Sequence, residues 1–221
     1  MTDINQINEI NSSLSNWHIE TDDNNICWIH FDAPGTSANL LSQTAIRELD
    51  ETLQVLEKAP PQAIVILSDK KDGFIFGADI KEFTTLENIE LAKAFLQNGH
   101  KLMNRLEAMS CPTVSMIHGM CLGGGTELSL ACDYIIATDH KKTRIGLPEI
   151  KLGIFPGYGG TARSIERCGP LAAMNMMLTG RALTARAAKK IHLIDETVPQ
   201  RQLRAAAEHF ALTAPKRRKL P

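Results

Sequence analysis

The feature that most constrains this chain is a run of three glycines, Gly123-Gly124-Gly125, set between the apolar segment Thr113-Val-Ser-Met-Ile117 and the helix-forming stretch Thr126-Glu-Leu-Ser-Leu-Ala131. Adjacent glycines carry a large conformational entropy cost, so a packed protein keeps them where backbone is approached closely or needs positive φ. Strand, glycine turn and helix in that order leave unpaired N–H donors at a helix N-terminus. Those donors and the helix dipole favour a negative oxygen, either a phosphate or an oxyanion formed during a reaction. Glu127 falls in the first turn of that helix, beside the same opening.

Two phosphate-binding patterns fail at this turn. Gly119 and Gly124 have the spacing of the ends of a P-loop, but Gly125-Thr126 follows where Lys-Ser/Thr is required, so no ammonium reaches a β/γ phosphate. A dinucleotide fingerprint needs Gly-x-Gly-x-x-Gly, and the third glycine is absent. Two readings stay open: an oxyanion hole beside a carboxylate, and a tight turn whose glycines only let a helix pack on a strand.

With 221 residues the chain suits one large α/β domain better than two small ones. A net charge of −1 argues against nucleic acid as the main partner. No apolar run approaches the roughly 20 residues that span a bilayer, and the start Met1-Thr-Asp-Ile-Asn5 lacks a basic, then apolar, leader. A cytoplasmic location is the expectation. Five scattered cysteines, with no Cys-x-x-Cys pair, read as reduced core thiols. No histidine forms a helical ligand pair with a neighbouring acid, so no metal site is expected.

Along the chain, residues 1–15 read as a loose arm or short helix. Trp17–Thr21 and Ile26–Phe31 alternate like strands around Asp22-Asp-Asn-Asn25, which has hairpin turn chemistry. Ser42 is placed to cap a helix to about Lys58 with Ile46, Leu49, Leu53 and Leu56 on one face. Ala63–Leu67 is a continuously apolar strand of the kind buried on both sides. In the hydrophobic segment 74–81, Gly77-Ala78 forms a second place where backbone could meet a ligand. A helix is expected from about Leu86 to Ala108 with Leu91, Phe95, Leu102 and Leu106 buried. Tyr134–Ala137 and Ile194–Val198 read as strands, and Thr161–Arg167, Leu171–Leu178, Thr184–Lys190 and Gln200–Ala214 as helices. This alternation predicts a mainly parallel sheet with crossover helices, without a convincing internal repeat. Glu149, stiffened by Pro148 ahead of the glycine-rich loop Lys151–Gly160, could share a site with Glu127 or be an ordinary surface acid.

Taken together, Phe76-Gly-Ala-Asp-Ile-Lys81, Gly123-Gly-Gly-Thr-Glu-Leu128, Ala131-Cys-Asp133, Gly146-Leu-Pro-Glu149 and Gly153-Ile-Phe-Pro-Gly-Tyr-Gly-Gly-Thr-Ala-Arg163 resemble the crotonase family of enoyl-CoA hydratases and isomerases. The order and rough spacing match from about Trp17 to Val198. The chain is most similar to the N-terminal hydratase region of the multifunctional α-subunits of fatty acid oxidation. That resemblance implies an α/β fold of the crotonase type, a ββα spiral with mainly parallel sheets and surrounding helices. By the same resemblance, residues 16–214 form the crotonase domain, residues 215–221 are a basic interior segment, and the chain is a C-terminally truncated piece.

The resemblance also implies the chemistry. Ala78 and Gly124 match the two oxyanion-hole amides, and Glu127 and Glu149 the two catalytic glutamates. Lys81 matches a basic position near the CoA phosphates, while Phe76, Pro156 and Gly157 would line the acyl or pantetheine groove. The implied reaction is hydration of trans-2-enoyl-CoA to 3-hydroxyacyl-CoA in β-oxidation. Two alternatives are Δ3-Δ2-enoyl-CoA isomerisation through Glu149 alone and a non-catalytic module of this fold that binds RNA. The expected partner is an acyl-CoA thioester, with assembly as a trimer or with a thiolase β-subunit. No cofactor is expected in this region, NAD belonging to a dehydrogenase part that the sequence lacks. Against the family pattern, the link His140-Lys-Lys-Thr143 is longer than usual. Ile191-His192 also stands where a glycine usually precedes the Leu-Ile-Asp turn.

Overall fold

The computed structural model of the protein describes residues 4–82 and 88–217, with side chains from Glu9 onward. The expected start of the third long helix at Leu86, residues 1–3 of the arm and residues 218–221 of the basic tail lie outside the described residues.

Among the described residues ten strands form two sheets. The larger has the order β1-β2-β3-β5-β7-β10 and the smaller β4-β6-β8-β9. In the large sheet β1 (Trp17–Thr21) and β2 (Ile26–Phe31) make the expected hairpin, pairing antiparallel with Trp17 opposite Phe31. From β2 onward, β3 (Ala63–Ser68), β5 (Thr113–Ile117), β7 (Tyr134–Thr138) and β10 (Glu196–Val198) run parallel. The small sheet holds β4 (Gly73–Ile75), β6 (Met120–Leu122) and β8 (Arg144–Gly146) in parallel, closed by the antiparallel β9 (Leu183–Thr184).

The chain visits the sheets in turn. β3 and β4 lead to α3 (Ile89–Ala108), β5 and β6 to α4 (Gly124–Ala131), and β7 and β8 to α5 (Gly160–Thr179). This is the ββα spiral. The repeat is one of topology and leaves little trace in side-chain identity, which is why the sequence shows none. Three-residue strands such as β6 and β8 are too short for a period-2 pattern, so the sequence does not mark them as strands.

Successive side chains of a strand point to opposite faces, and β3 shows the result. Ile64 and Ile66 enter one buried cluster with Ile46, Leu49, Leu53 and Leu56 of α2 (Gln43–Lys58). Ala63, Val65 and Leu67 enter another with Leu203, Ala207 and Ala211 of α7 (Leu203–Thr213). The Ser42 side chain accepts from Ala45 N–H, as a cap should. Before β1, α1 (Ile4–Ser13) is the short helix of the arm. One expected core residue moves: Leu91 is 47% exposed, and Phe95, Leu102 and Leu106 carry the buried face of α3. The two helical stretches expected after Gly160 both form within the span α5 (Gly160–Thr179), parted by a kink where Gly169 (φ 77°, ψ 162°) leaves helical geometry ahead of Pro170. α6 (Ala185–Lys190) then leads to the segment without the usual glycine, and His192 takes the left-handed conformation itself, at φ 63°. The long link to Glu149 closes as a turn, with Thr143 N–H donating to the His140 carbonyl (2.8 Å), so it leaves β8 in register.

Candidate active site

Each glycine of the central run has a different neighbour. A Cβ on Gly125 would lie 2.6 Å from Ile75 Cβ, so this glycine lets α4 pack on β4. A Cβ on Gly124 would lie 3.3 Å from the Ala78 amide nitrogen, and one on Gly123 3.2 Å from Glu149 Oε1. One glycine of the run therefore serves packing and two face a cavity. α4 begins at Gly124, ahead of the Thr126 expected, because Gly123 (φ 50°) makes the turn and Thr126 Oγ1 donates to the carbonyls of Cys121 and Gly146, both 2.8 Å away.

The second amide is aimed by an isolated parallel bridge. Leu41 N–H donates to the Gly77 carbonyl (2.8 Å) and the Leu41 carbonyl accepts from Asp79 N–H (3.2 Å). This pattern skips Ala78, whose own N–H points the other way. Among the described residues, neither Ala78 N–H nor Gly124 N–H has a hydrogen-bond acceptor.

Between these amides and the glycine-rich loop lies a cleft of about 370 Å³. Phe76, Ala78, Gly124, Glu127, Glu149 and Gly157 all line it, so six of the eight positions singled out in the sequence converge on one cavity. Two do not. Pro156 is buried away from the cavity wall, and Lys81 is exposed beyond the cavity-lining Ile80. The wall also includes residues to which the sequence assigns no role at a site, among them Phe95 and Leu96 of α3, Phe155 and Tyr158. The spacing of Phe95 predicts a core position, and its ring stacks on Tyr158 with centroids 6.4 Å apart.

The two acids are buried, Glu127 at 2% exposure and Glu149 at 9%. Glu127 Oε1 accepts from the amides of Tyr158 (2.7 Å) and Gly160 (2.8 Å), the latter at the N-terminus of α5, where a carboxylate is favoured. Burial pushes this carboxyl up to about 7, opposed by the Gly160 and Tyr158 amides, raised further by Glu149 and lowered by Arg163. Glu149 opens a single 3-10 turn, Glu149–Leu152, between Pro148 and the left-handed Gly153. Burial raises its pKa as well, and its Oε2 has no partner among the described residues.

Two unengaged amides and two acids with raised pKa values thus line one mostly apolar cleft, which makes it the candidate active site. Residues 21–216 match the family described as enoyl-CoA hydratase/isomerase, and the chain belongs to that family. It is 39% identical over 212 residues to the fatty acid oxidation complex subunit alpha of Aliivibrio fischeri, covering 95% of this chain and 31% of that protein. The subunit of the same name from Shewanella loihica is 40% identical over 200 residues, covering 90% and 28%. The chain thus spans less than a third of the length of these relatives. A solved enoyl-CoA hydratase from Bacillus anthracis superposes with a TM-score of 0.82 at 31% identity, covering 89% of this chain and 75% of that one. A second, from Geobacillus kaustophilus, gives 0.83 at 25% identity, covering 90% and 74%. Among the described residues no helix is long and apolar enough to cross a membrane.

Proposed function

We propose that this chain adds water across the double bond of trans-2-enoyl-CoA thioesters, as the hydratase part of a fatty-acid-oxidation α-subunit. The observation that carries this reading is the convergence of Glu127, Glu149 and the unengaged amides of Ala78 and Gly124 on one cleft. The thioester oxygen would accept from both amides. As water attacks C3, charge moves through C2 onto that oxygen, and each fixed donor is worth about 3 kcal/mol to the transition state.

The acids divide the proton work by their surroundings. Burial raises the Glu127 carboxyl to about 7 against its two main-chain donors, so it is ionised in part near neutrality, and that form takes the proton from water. Glu149, buried and with its Oε2 unpartnered among the described residues, gives the proton to C2. Hydrogen bonds to a carboxylate favour its charge, and desolvation disfavours it. Two acids of like charge in one cleft resist being ionised together, which keeps one proton on the pair. No cofactor enters, since the substrate carries its own CoA. Residues 16–214 act as one domain in this reading, with Phe76 and Gly157 along the acyl path. Lys81 and Pro156 would act outside the cavity wall, Lys81 toward the CoA phosphates. Assembly with a thiolase-type β-subunit or as a trimer belongs to the same proposal, as does a cytoplasmic location.

The test is hydration of crotonyl-CoA followed by loss of the conjugated double bond, in the protein and in Glu127→Gln. Turnover that falls sharply in the variant supports the assignment, and equal rates reject it. Conversion of a 3-enoyl-CoA that survives in Glu127→Gln would transfer the reading to an isomerase working through Glu149.

A further inference from the structure

The loop that cradles Glu127 is itself held from one side. Arg163, one turn into α5, is 7% exposed. Its Nη1 donates to the Tyr158 carbonyl (3.1 Å) and its Nη2 to Asn104 Oδ1 (2.8 Å). Nη2 and Nε also both reach Glu107 Oε2, at 2.7 and 3.1 Å. Asn104, exposed, and Glu107, half-buried, both belong to α3, so the guanidinium ties that helix to the peptide carrying the Tyr158–Gly159–Gly160 turn. The turn has no slack of its own. Gly159 sits at φ 92°, and a Cβ there would come 2.3 Å from Arg163 Nη1.

We propose that Arg163 is a positioning residue for Glu127: it anchors the Tyr158 carbonyl to α3 and thereby keeps the Tyr158 and Gly160 amides on the carboxylate. This rests on the reading of Glu127 as the proton acceptor for water. The planar fork of arginine is needed because one group must serve a carbonyl, an amide oxygen and a carboxylate in fixed directions, which an ammonium cannot do at once. The guanidinium also acts on Glu127 through its charge, lowering its pKa. The other titratable groups around that carboxyl are Glu149 on the 3-10 turn, the Tyr158 phenol, Glu107 on α3 as the partner of Arg163, and His100 of α3 beside Gly159.

Two variants and two readouts test this. Arg163→Gln removes both charge and fork, and Arg163→Lys keeps the charge alone. In crotonyl-CoA hydration kcat is expected to fall about 100-fold in Arg163→Gln, the usual effect of misplacing a catalytic group by about 1 Å, with KM changed less than about threefold because the groove is untouched. In ¹³C NMR of the glutamate carboxyls, with the Glu127 signal assigned by its absence in Glu127→Gln, the Glu127 midpoint is expected to rise by about one pH unit in Arg163→Gln. Arg163→Lys is expected to bring the midpoint only part of the way back, because the charge returns and the displaced amides do not, while leaving kcat about 10-fold low. The NMR arm needs no turnover: a protein inactive on crotonyl-CoA would defeat the hydratase reading, and the midpoint would still decide on Arg163. An unmoved midpoint with unchanged kcat in folded Arg163→Gln overturns the proposal. Should that variant fail to fold, parent-like kcat in Arg163→Lys overturns it instead.

Discussion

Glu127 and Glu149 are one residue type in one cleft, and the structure supports them by opposite means. Glu127 stands on a helix, and its carboxylate is met by two main-chain donors from a loop more than thirty positions later in the chain. Glu149 stands on a single turn between a proline and a left-handed glycine, with one oxygen unpartnered. The first acid is specified by tertiary contact, the second by local backbone stiffness. Each abuts a glycine: a Cβ on Gly160 would lie 2.7 Å from Glu127 Cγ, and one on Gly123 3.2 Å from Glu149 Oε1.

The largest effect expected is loss of either acid. Glu127→Gln and Glu149→Gln should each lower kcat about 10²–10⁴-fold. If the two work as a pair, the double variant should lose little more than the worse single one, which steady-state kinetics on all three would show. The supporting glycines should separate the acids. Gly160→Ala pushes directly on the Glu127 stem, and kcat is expected to drop about 100-fold. Gly123→Ala meets only the far end of the Glu149 side chain, so kcat should fall about 10-fold. Its main cost should appear in thermal unfolding, about 1–2 kcal/mol for an L-residue at φ 50°. Equal kinetic losses at the two glycines would break the contrast.

Glu127 should also be visible in the pH dependence of stability. Its pKa is raised from 4.5 to about 7 by burial, so the native state holds the proton more tightly than the unfolded chain. Below pH 4.5 both states are protonated and nothing is lost. As pH rises through about 7 the ionised form is penalised, on the order of 3 kcal/mol at about 1.4 kcal/mol per unit. A glutamine keeps an oxygen to accept from the Tyr158 and Gly160 amides and has no charge to bury. Glu127→Gln is therefore expected to be more stable than the parent at pH 8, with the gain vanishing near pH 4.5 in denaturant titrations. The smallest effect is at the cradle's own side chain. The Tyr158 hydroxyl is buried without a partner among the described residues, and Tyr158→Phe should raise stability by about 1 kcal/mol.

How much of this was legible follows the same divide. Ser42 and the four apolar residues of α2 were readable because cap and periodicity are local. β3 was readable because a strand buried on both faces must be apolar throughout. The two acids and the amides of Ala78 and Gly124 were reached through motif resemblance, since spacing alone left the glycine run open between packing and chemistry. Tyr158 and Gly160 escaped notice because they contribute main-chain N–H groups, which every residue but proline carries and no pattern marks. The smaller sheet escaped because its strands are two or three residues long.

By itself the sequence determined the longer helices and strands, α2 and β3 among them, since caps, prolines, glycines and hydrophobic period act over a few residues. It also supplied the chemical groups. Only the tertiary structure decided which amides were left without acceptors and how far each carboxyl was desolvated. Both depend on which distant segments close over them: the Leu41 bridge turns the Ala78 amide outward, and the Tyr158 loop buries Glu127. Burial and donor direction are properties of the assembled cleft, and neither is encoded at any single position.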